Sequence, residues 1–420
     1  MSNSLSSNIT RPLAKVFLQA FESSRVVTKT VNTQLLSGKF NDSTGSSVDF
    51  KRPHDYNSIR TSGGDISSST KSDIIAGKAT GTVQDYFTAA TEWGNVQEAL
   101  ELDQLDQILA PMARRLVTDI ELDLGAFMRK NAALNYGNRG TVVDAWSDVA
   151  GAGAMMDSVG IPFSDEKCYL MNPFTTTALA SAQTGLTAAD GIVRTAWEKA
   201  QISSNFGGMR ALTSNALSSY TSGSTTDRAG TLNGAPNATY VAAKDTMQQT
   251  LVLAGLGTGT IKAGDQVTIA GVNRLNVSTR EPILDSTGAS VLWTGTVTAD
   301  VTIAANAATV VVSGAAIYEA NGQYNNVDAA PASGAVVTIL GAASTVYQPN
   351  MFYSKQAFGI GTVKLPKLYS TDTVATTSDG MSIRVSKYSD GDANTQKIRF
   401  DLLPAYACFN PLFAGQGYGV

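Results

Sequence analysis

A long stripe of apolar residues at helical spacing most constrains what this chain can fold into. The stripe lies between Trp93 and Asn131, and its members recur three or four residues apart: Leu105, Ile108, Leu109, Met112, Leu116, Ile120, Leu124 and Phe127. Such spacing places them on one face of a helix. Pro111 interrupts the stripe, and proline breaks or kinks a helix unless it stands in the first turn. We therefore predict a shorter helix, then a long one from about Pro111 to Leu134 that is closed by Asn135-Tyr-Gly137.

A second segment, residues 222–345, has a different character. It is rich in Gly, Ala, Thr, Ser and Val and carries few charges. Short β-branched runs alternate with turns such as Ala263-Gly-Asp265 and Asn321-Gly322, which predicts a small antiparallel barrel inserted into the rest of the fold. The runs are Leu251 to Leu253, Gln266 to Ile269, Val291 to Val297, Ala308 to Val312 and Ala335 to Leu340.

The remaining segments mix helices and strands, so the predicted fold class is α+β. Phe17 and Phe21 belong to an amphipathic stretch that predicts a short helix near the start of the chain. Residues 36–82 are polar, and so long an excursion indicates an arm that meets another chain. The other predicted pieces are a strand at Ser47 to Phe50, a strand at Cys168 to Met171, helices at Thr175 to Gln183 and Gly191 to Gln201, and a long hairpin formed by Met381 to Tyr388 and Lys397 to Phe409.

Size and composition set limits on the class of protein. A chain of 420 residues exceeds what one core usually organises, so two or more domains are expected. The apolar runs are shorter than the roughly 20 residues that span a bilayer, and the first residues lack the features of a secretory signal, so we expect a protein that folds in a cytoplasm. Two distant cysteines exclude a disulfide framework. Residues 1–80 hold 10 Lys+Arg against 6 Asp+Glu, and the remainder holds 21 against 29, which fits a basic arm on an acidic neighbour better than a dedicated nucleic-acid binder.

A catalytic site is not indicated, and we expect no enzyme and no cofactor. The one histidine, His54, lies in a predicted loop, where a solvated or packing role is more common than a catalytic one. The Gly255-Leu-Gly257-Thr-Gly259 run lacks the full spacing of a dinucleotide loop, and Gly77-Lys78-Ala-Thr80 lacks the upstream glycine of a phosphate loop.

The strongest candidate for a metal ligand set is Asp390-Gly-Asp392-Ala-Asn394, where oxygen donors alternate as they do in calcium loops. Thr395 stands where that loop needs glycine, so a hydrogen-bonded hairpin tip is the preferred interpretation. The carboxylate pairs Asp103 with Asp106 and Glu121 with Asp123 are expected on exposed helix faces, in ion pairs or in solvent.

Several long stretches carry a resemblance to a known family. They are VDFKRPHDYNSIRT, GDISSSTKSDIIAGKATG, LDQILAPMARRLVTDIE, SAQTGLTAADGIVRTAWEKAQISSNFGGMRAL, IKAGDQVTI and KYSDGDANTQKIRFDLLPAYACFNP. The sequence resembles the major capsid (coat) proteins of P22-like tailed phages, closest to the Sf6 and CUS-3 type, and the order of its segments resembles the HK97 fold. The resemblance is patchier within residues 222–345.

The resemblance implies a division of the chain. Residues 1–35 would form the N-arm and 36–82 an extended E-loop. The P-domain with the spine helix would take 83–143 and, discontinuously, the hairpin with its P-loop and the C-terminus at 381–420. The A-domain would take 144–221 and 346–380, and residues 222–345 would form an inserted β-barrel domain, the I-domain.

The resemblance also implies what the protein does and with which partners. Many copies would form pentamers and hexamers of an icosahedral virion shell, with T=7 expected, first as a procapsid on a scaffolding protein in the host bacterial cytoplasm. The shell would expand as double-stranded DNA enters through a portal protein, and the coat would contact DNA weakly and no membrane. Crosslinking chemistry is not expected in this branch.

Contacts between subunits would then be the functional sites. An extended loop gains little on its own chain and should cover a neighbour. The candidates are Lys51, Arg52, Arg60, Lys71 and Lys78 against Glu98, Asp103 and Asp106 of an adjacent P-domain, and Asp390 and Asp392 of the hairpin tip against Lys397 or Arg399 near local three-fold axes. Pro111 is the hinge candidate for expansion.

Two other classes stay open at this stage. An encapsulin-like nanocompartment shares the fold but would enclose an enzyme cargo. An enzyme of unknown class lacks a site that meets the geometric demands of catalysis. Binding of host cells by the β-rich insert is possible as a secondary role.

Overall fold

The computed structural model describes residues 15, 17–36, 40, 45–94, 105–183, 190–369 and 372–420. The chain forms two compact units, which are described separately. The first contains Met1–Asp49, Thr80–Gly125 and Phe358–Ala407, and the second contains Phe50–Ala79, Ala126–Ala357 and Cys408–Val420. Helices and strands occur in both units, so the predicted α+β class is confirmed. None of the helices in the described ranges has the length and apolar character needed to cross a membrane.

The first unit is built around two four-stranded sheets, in the orders β1-β2-β23-β19 and β20-β21-β22-β3. Helical turns at residues 17–24 precede them, and short 3₁₀ turns follow at Val27–Lys29 and Gln34–Leu36. The strands are β1 (Ser47–Lys51), β2 (Lys78–Val83), β3 (Phe87–Gly94), β19 (Phe358–Thr362), β20 (Thr373–Thr376), β21 (Ser382–Asp390), β22 (Thr395–Leu402) and β23 (Pro404–Cys408), with β1, β2 and β23 extending one or two residues beyond the unit.

The predicted hairpin is present but shorter than expected. Strands β21 and β22 pair in antiparallel register from Arg384 opposite Asp401 to Asp390 opposite Thr395. The sequence predicted one strand from Lys397 to Phe409. This prediction is wrong, because the strand ends at Leu402 and a second strand follows. The following β23 begins at Pro404, whose ring nitrogen cannot donate to a ladder, and it pairs with β2 in the other sheet.

One helix, Leu105–Asn131, carries the apolar stripe and contains Pro111. The prediction that Pro111 ends one helix and opens the next is therefore wrong for these residues. Proline inside a helix costs about 3 kcal/mol. Burial of the stripe offsets that cost: Leu109, Leu116, Ile120 and Leu124 are all at most 2% exposed.

The end of this helix also differs from the prediction. The helix ends at Asn131, and Leu134–Tyr136 forms β4 instead of a closing turn. Strand β4 is the outer member of a six-stranded sheet in the second unit, with the order β4-β24-β18-β5-β7-β6. The other strands are β5 (Lys167–Met171), β6 (Asn205–Phe206), β7 (Met209–Thr213), β18 (Asn350–Ser354) and β24 (Ala414–Gly417).

Helices Trp146–Val159, Pro173–Gln183 and Asp190–Lys199 accompany this sheet, close to the positions predicted for the last two. All five residues of β5 are buried, and so are all five of β18. Such a pattern is typical of strands covered on both faces. A 3₁₀ turn at Pro411–Phe413 leads into β24.

The predicted β-barrel is present in the second unit. Six strands close in the order β10-β15-β13-β12-β16-β9. Their bounds are β9 (Ala229–Leu232), β10 (Gln248–Ala254), β12 (Gln266–Asn273), β13 (Leu292–Val297), β15 (Ala307–Ser313) and β16 (Val336–Ile339), and outside the barrel β11 (Gly259–Ile261) pairs with β14 (Val301–Ile303). Inward residues such as Leu251, Leu253 and Val310 are fully buried, and Trp293 fills the core while its Nε1 donates to the carbonyl of Gly314 over 2.9 Å.

The chain enters and leaves this barrel side by side. Strand β8 (Tyr220–Thr221) pairs antiparallel with β17 (Val346–Tyr347), and the amide of Ser222 donates to the carbonyl of Thr345 over 2.9 Å. A short helix, Tyr240–Ala243, lies within the insert between β9 and β10. This paired entrance and exit is the usual form of a domain inserted into a host fold.

Candidate assembly surfaces

The hairpin tip is an exposed turn held by one aspartate. The Oδ1 of Asp390 accepts hydrogen bonds from the amides of Asp392 and Ala393, over 3.1 and 3.2 Å. This local capping is what Asp supplies in tight turns. Asn394 takes a left-handed backbone conformation with φ of 49°. Within the described part of the chain, no three His, Cys, Asp or Glu side chains are grouped so that they could hold a metal ion.

The two basic residues predicted to meet this tip from another copy have partners on their own chain. Lys397 lies opposite Glu92 of β3, with Nζ and a carboxylate oxygen 3.3 Å apart. Arg399 donates from Nε to Asp401 over 2.6 Å. The first ion pair joins β22 to β3 and the second lies within β22, so both basic groups have partners in the sheet of their own chain.

Asp401 is the centre of a buried polar cluster at the base of the hairpin. Its side chain is fully buried and accepts hydrogen bonds from Thr88 over 2.7 Å and from Arg384 over 2.7 Å, in addition to Arg399. Burial alone would raise the pKa of Asp401, but the hydrogen bonds from Thr88, Arg384 and Arg399 hold that pKa below its ordinary value. The carboxylate is therefore ionised and fully partnered.

The N-terminal arm is fixed to the long helix by Glu121. One carboxylate oxygen of Glu121 accepts the amides of Val26, Val27 and Thr28, with 2.8 Å to Val27. The prediction of an exposed Glu121 is wrong, since only 3% of it is accessible. Burial raises its pKa, and the three amide donors oppose that rise.

Two further contacts fix the arm within the first unit. The ring of Phe17 stacks on Phe400 of the hairpin with centroids 3.9 Å apart. Arg25 pairs with Asp379 over 2.5 Å, and the guanidinium is almost fully buried. The arm is thus part of its own subunit's core from Phe17 onwards.

The polar loop 51–78 is bound to its own chain at both ends. Arg52 donates from Nε to the carbonyls of Lys78 and Lys244, each over 3.0 Å, and from Nη1 to that of Phe409. Burial lowers the pKa of Arg52 below its ordinary value. An arginine used in this way has few donors left for a neighbouring subunit.

The insert holds the loop at a second place. Arg280 donates to the carboxylate of Asp55 and, over 2.8 Å, to the carbonyl of Asn325, while Gln323 donates to the carbonyl of Asp73 over 2.6 Å. The expectation that this loop gains little from its own chain is therefore wrong at both ends. The reason is that Arg280 and Gln323 of the insert donate to residues near both ends of the loop.

The middle of the loop is exposed. Arg60 is accessible, and so is Lys71, whose Nζ donates to the carbonyl of Ile66 over 3.1 Å. Lys51 and Lys78 are exposed at its two ends. Their predicted acidic partners Glu98 and Asp103 lie outside the described residues, and Asp106 lies in the long helix without a described side chain.

Sequence reasoning missed how the barrel binds the end of the long helix. The last carbonyls of a helix have no intrahelical donors. Here Ser313 donates to the carbonyl of Asn131 over 2.9 Å, Thr296 donates to that of Ala132, and Thr294 donates to that of Ala133 over 2.6 Å. Gln266 then donates to the carbonyl of Leu134 over 2.9 Å. Four successive carbonyls are therefore satisfied by barrel side chains.

Arg274, the residue that follows β12, completes this junction. It is 1% exposed and donates through Nη2 to the carbonyls of Ala133, over 3.0 Å, and Thr294, over 2.7 Å. Burial lowers its pKa to about 9. A cation beside a helix C-terminus is favoured by the helix dipole.

An arginine among three tyrosines forms a second unpredicted cluster. The guanidinium of Arg139 lies 5.5 to 5.9 Å from the ring centres of Tyr220, Tyr347 and Tyr418. It donates to Gln416 over 2.8 Å and to the carbonyl of Gly264 over 3.2 Å. Its four side-chain partners come from distant parts of the sequence, so no local pattern indicates the cluster.

The residues with the best chemical reactivity are not arranged for catalysis. Burial raises the pKa of Cys168 and that of Cys408 to about 12, so both thiols stay protonated at neutral pH. His54 is exposed and lines a largely apolar cavity of about 310 Å³ together with Tyr240, Met247 and Phe413. These features fit packing better than proton transfer.

Comparison with known proteins finds one family that matches almost the whole chain. The sequence profile of the P22 coat protein (gene protein 5) matches residues 2–419. The chain is 47% identical over 424 residues to a protein described as the major capsid protein of Acyrthosiphon pisum secondary endosymbiont phage 1, with all of both chains covered.

Solved structures give weaker likenesses. The capsid of cyanophage P-SCSP1u matches with a TM-score of 0.45 and 12% identity, covering 95% of this chain and 88% of that one. The structure of Mycobacterium phage Che8 matches with a TM-score of 0.47 and 11% identity, covering 93% and 90%.

Proposed function

The chain belongs to the P22 coat protein family and has the role of a phage major capsid protein, and we propose that its copies assemble as pentamers and hexamers of an icosahedral head. The observation that carries this proposal is the family match over residues 2–419, together with 47% identity to a capsid protein along its full length. A shell protein works through repeated contacts and needs no catalysis. The protonated thiols of Cys168 and Cys408 support a purely structural role.

We further propose the segment roles implied by this family. Residues 1–35, 36–82 and 222–345 act as N-arm, E-loop and inserted I-domain, and the P- and A-domains take the remaining ranges. The side-by-side entry and exit of the chain at Thr221 and Val346 supports the boundaries of the insert.

The exposed middle of the loop is the part proposed to reach a neighbouring subunit. Arg60 and Lys71 would pair there with acidic groups of an adjacent P-domain, among them Glu98, Asp103 and Asp106. Ion pairs at a rim set register more than affinity, so we assign them a role in alignment. Lys51 and Lys78 flank this region, whereas Arg52 serves its own chain.

The hairpin tip is proposed to meet other copies near local three-fold axes. Asp390 and Asp392 remain the residues that project there, with Lys397 and Arg399 as the basic groups of the same hairpin. Because those two already pair with Glu92 and Asp401, a contact between copies would share an existing ion-pair network. Many weak contacts of this kind reinforce one another in a closed lattice.

The assembly route is part of the proposal. Subunits would first form a procapsid on a scaffolding protein in the host cytoplasm, and double-stranded DNA would then enter through a portal protein. Expansion needs two packings of the same chain, and Pro111 inside the long helix offers a place to bend. The family match favours this capsid role over an encapsulin-like compartment.

Electron microscopy of the full chain, expressed with and without a phage scaffolding protein, tests the proposal. Closed shells of uniform size that depend on the scaffold are expected. Folded monomers or small oligomers under both conditions would contradict it. Purified particles that contain an enzyme cargo instead of DNA would favour the encapsulin alternative.

A further inference from the structure

A basic cavity lies beside the end of the long helix, within the second unit. It has a volume of about 510 Å³, and three cations line it: Arg129, Lys130 and Lys262. Asp300 is the one carboxylate among its lining residues, and it pairs with Lys262 over 2.6 Å. The lining therefore carries two positive charges in excess.

Arg129 is the unusual member of this set. It is only 5% exposed, and its Nε and Nη1 atoms are buried with no hydrogen-bond partner. Its guanidinium carbon lies 4.4 Å from the centre of the Tyr220 ring, and this cation–π contact provides no hydrogen-bond acceptor for the two unpartnered nitrogens. A buried donor without an acceptor is unfavourable, so a ligand that supplies oxygen atoms would stabilise Arg129 in this position.

Neighbouring groups do not satisfy the two unpartnered nitrogens of Arg129. Burial lowers its pKa, and the like charge of Arg139 on the same tyrosine adds to the fall. The buried carboxylate of Asp265, whose charge opposes the fall in the pKa of Arg129, already accepts the amides of Gly223 and Lys262, each over 3.0 Å. The backbone carbonyls at the end of the helix and just beyond it are also occupied, since Gln416 donates to that of Arg129 and barrel side chains donate to those of residues 131–134.

We infer that this cavity binds a phosphate-type oxyanion through Arg129, Lys130 and Lys262. An arginine edge presents parallel N–H donors that match two oxygens of one anion, and lysines add point charges that suit phosphate. A phosphate carries a charge of about −1.5 to −2 at neutral pH, which balances the excess of the lining better than the single charge of a carboxylate. The phosphate comes either from the free ion or from a nucleic-acid backbone.

Thermal unfolding of the full-length chain in phosphate and in chloride, at equal pH and ionic strength, tests the inference. Phosphate at ten times its dissociation constant is expected to raise the Tm by at least about 2 °C. Arg129→Met should abolish the difference between the two salts, and Arg129→Lys should retain part of it. Arg194→Met, which changes an exposed arginine of the same unit, is the matched control and should keep the full shift.

Two added probes identify the source and the class of the anion. A short double-stranded oligonucleotide that produces the shift, and loses it in Arg129→Met, assigns the site to a nucleic-acid backbone, whereas a shift with inorganic phosphate alone assigns it to the free ion. The inference is overturned if phosphate and chloride give the same Tm, if Arg129→Met keeps the phosphate shift, or if acetate stabilises the chain as much as phosphate does. If Arg129→Met does not fold, the Tm values in phosphate and in chloride of the unaltered chain and of Arg129→Lys test the inference.

Discussion

The hydroxyl of Thr294, on a barrel strand, donates a hydrogen bond over 2.6 Å to the carbonyl oxygen of Ala133, two residues beyond the end of the long helix. The same hydroxyl accepts a hydrogen bond from Arg274 over 2.8 Å. The insert therefore completes the end of a helix that the host fold needs, and the two should unfold together.

Replacement of Thr294 by valine tests that coupling. Valine keeps the shape but removes the hydroxyl, which leaves the buried carbonyl of Ala133 and one donor of Arg274 less well satisfied. We expect the free energy of unfolding to fall by about 2 kcal/mol. Urea denaturation of the full chain measures this. Thr250→Val is the matched control, because Thr250 is exposed on a barrel strand, and it should change the stability by no more than about 0.5 kcal/mol.

Glu121 provides a prediction for the N-terminal arm. Glu121→Ala removes the acceptor of three amides at residues 26–28, so the arm should detach and the first unit should lose about 2–4 kcal/mol of stability. Limited proteolysis should then cleave within residues 17–36 faster than in the unaltered chain. Asp119→Ala, on the same helix, removes only a surface ion pair with Arg115 and should leave the cleavage rate unchanged. Equal protection of the arm in both variants would disprove the role of Glu121.

Asp401 should make stability depend on pH. Its folded-state pKa lies below the ordinary value of 3.8, so its contribution is complete above about pH 4 and is lost as the pH falls through the folded-state pKa. The loss from this group is at most about 1.4 kcal/mol per pH unit. Asp401→Asn should be less stable at pH 7 by about 3–5 kcal/mol, because Arg384 loses its buried partner.

The dependence of stability on pH distinguishes the contribution of the Asp401 charge from the contribution of its packing. Urea midpoints between pH 2 and 7 should decline less steeply below pH 4 in Asp401→Asn than in the unaltered chain. Parallel profiles would show that the carboxylate is not linked to folding in this way. Asp390→Asn at the exposed tip serves as the control.

For Pro111 we predict that a substitution increases the stability of the chain. Its ring is exposed, so it contributes little packing, while it removes one helix hydrogen bond. Pro111→Ala should therefore stabilise the first unit by about 1–3 kcal/mol, measured by urea denaturation. If Pro111 is the proposed hinge, the same variant should form procapsids but expand more slowly. Normal expansion of the stabilised variant would remove the hinge from the proposal.

The parts of the fold that sequence could predict are those with a local signal. The period of the apolar stripe indicated the long helix, and β-branched runs indicated five of the six barrel strands. Strand β9, Ala229–Leu232, was missed because Ala-Gly-Thr-Leu has little β-propensity of its own and is held by its neighbours β10 and β16.

Where sequence reasoning failed, a distant partner outweighed the local preference. The helix continues past Pro111 because burial of the apolar stripe offsets the cost of the proline. Glu121 is buried because its carboxylate accepts hydrogen bonds from the amides of the arm. Arg274 and Ala133 are 141 positions apart, so no spacing rule connects them. The hairpin tip could be predicted because an aspartate caps its own turn within three residues.

The hairpin tip gives a prediction for assembly that leaves the subunit intact. Asp392 is exposed, and only its backbone amide takes part in the cap made by Asp390, so Asp392→Lys should alter the stability of the subunit by no more than about 0.5 kcal/mol. If tips meet near three-fold axes, the reversed charge should repel the basic groups Lys397 and Arg399 of another copy and lower the yield of closed shells at least about tenfold, equivalent to about 1.4 kcal/mol. Asp392→Asn keeps the shape without the charge and should give an intermediate yield. Sedimentation of assembly reactions, with thermal unfolding of the free subunit alongside, measures both quantities. Unchanged yields in Asp392→Lys would place the tip outside the contacts that close the shell.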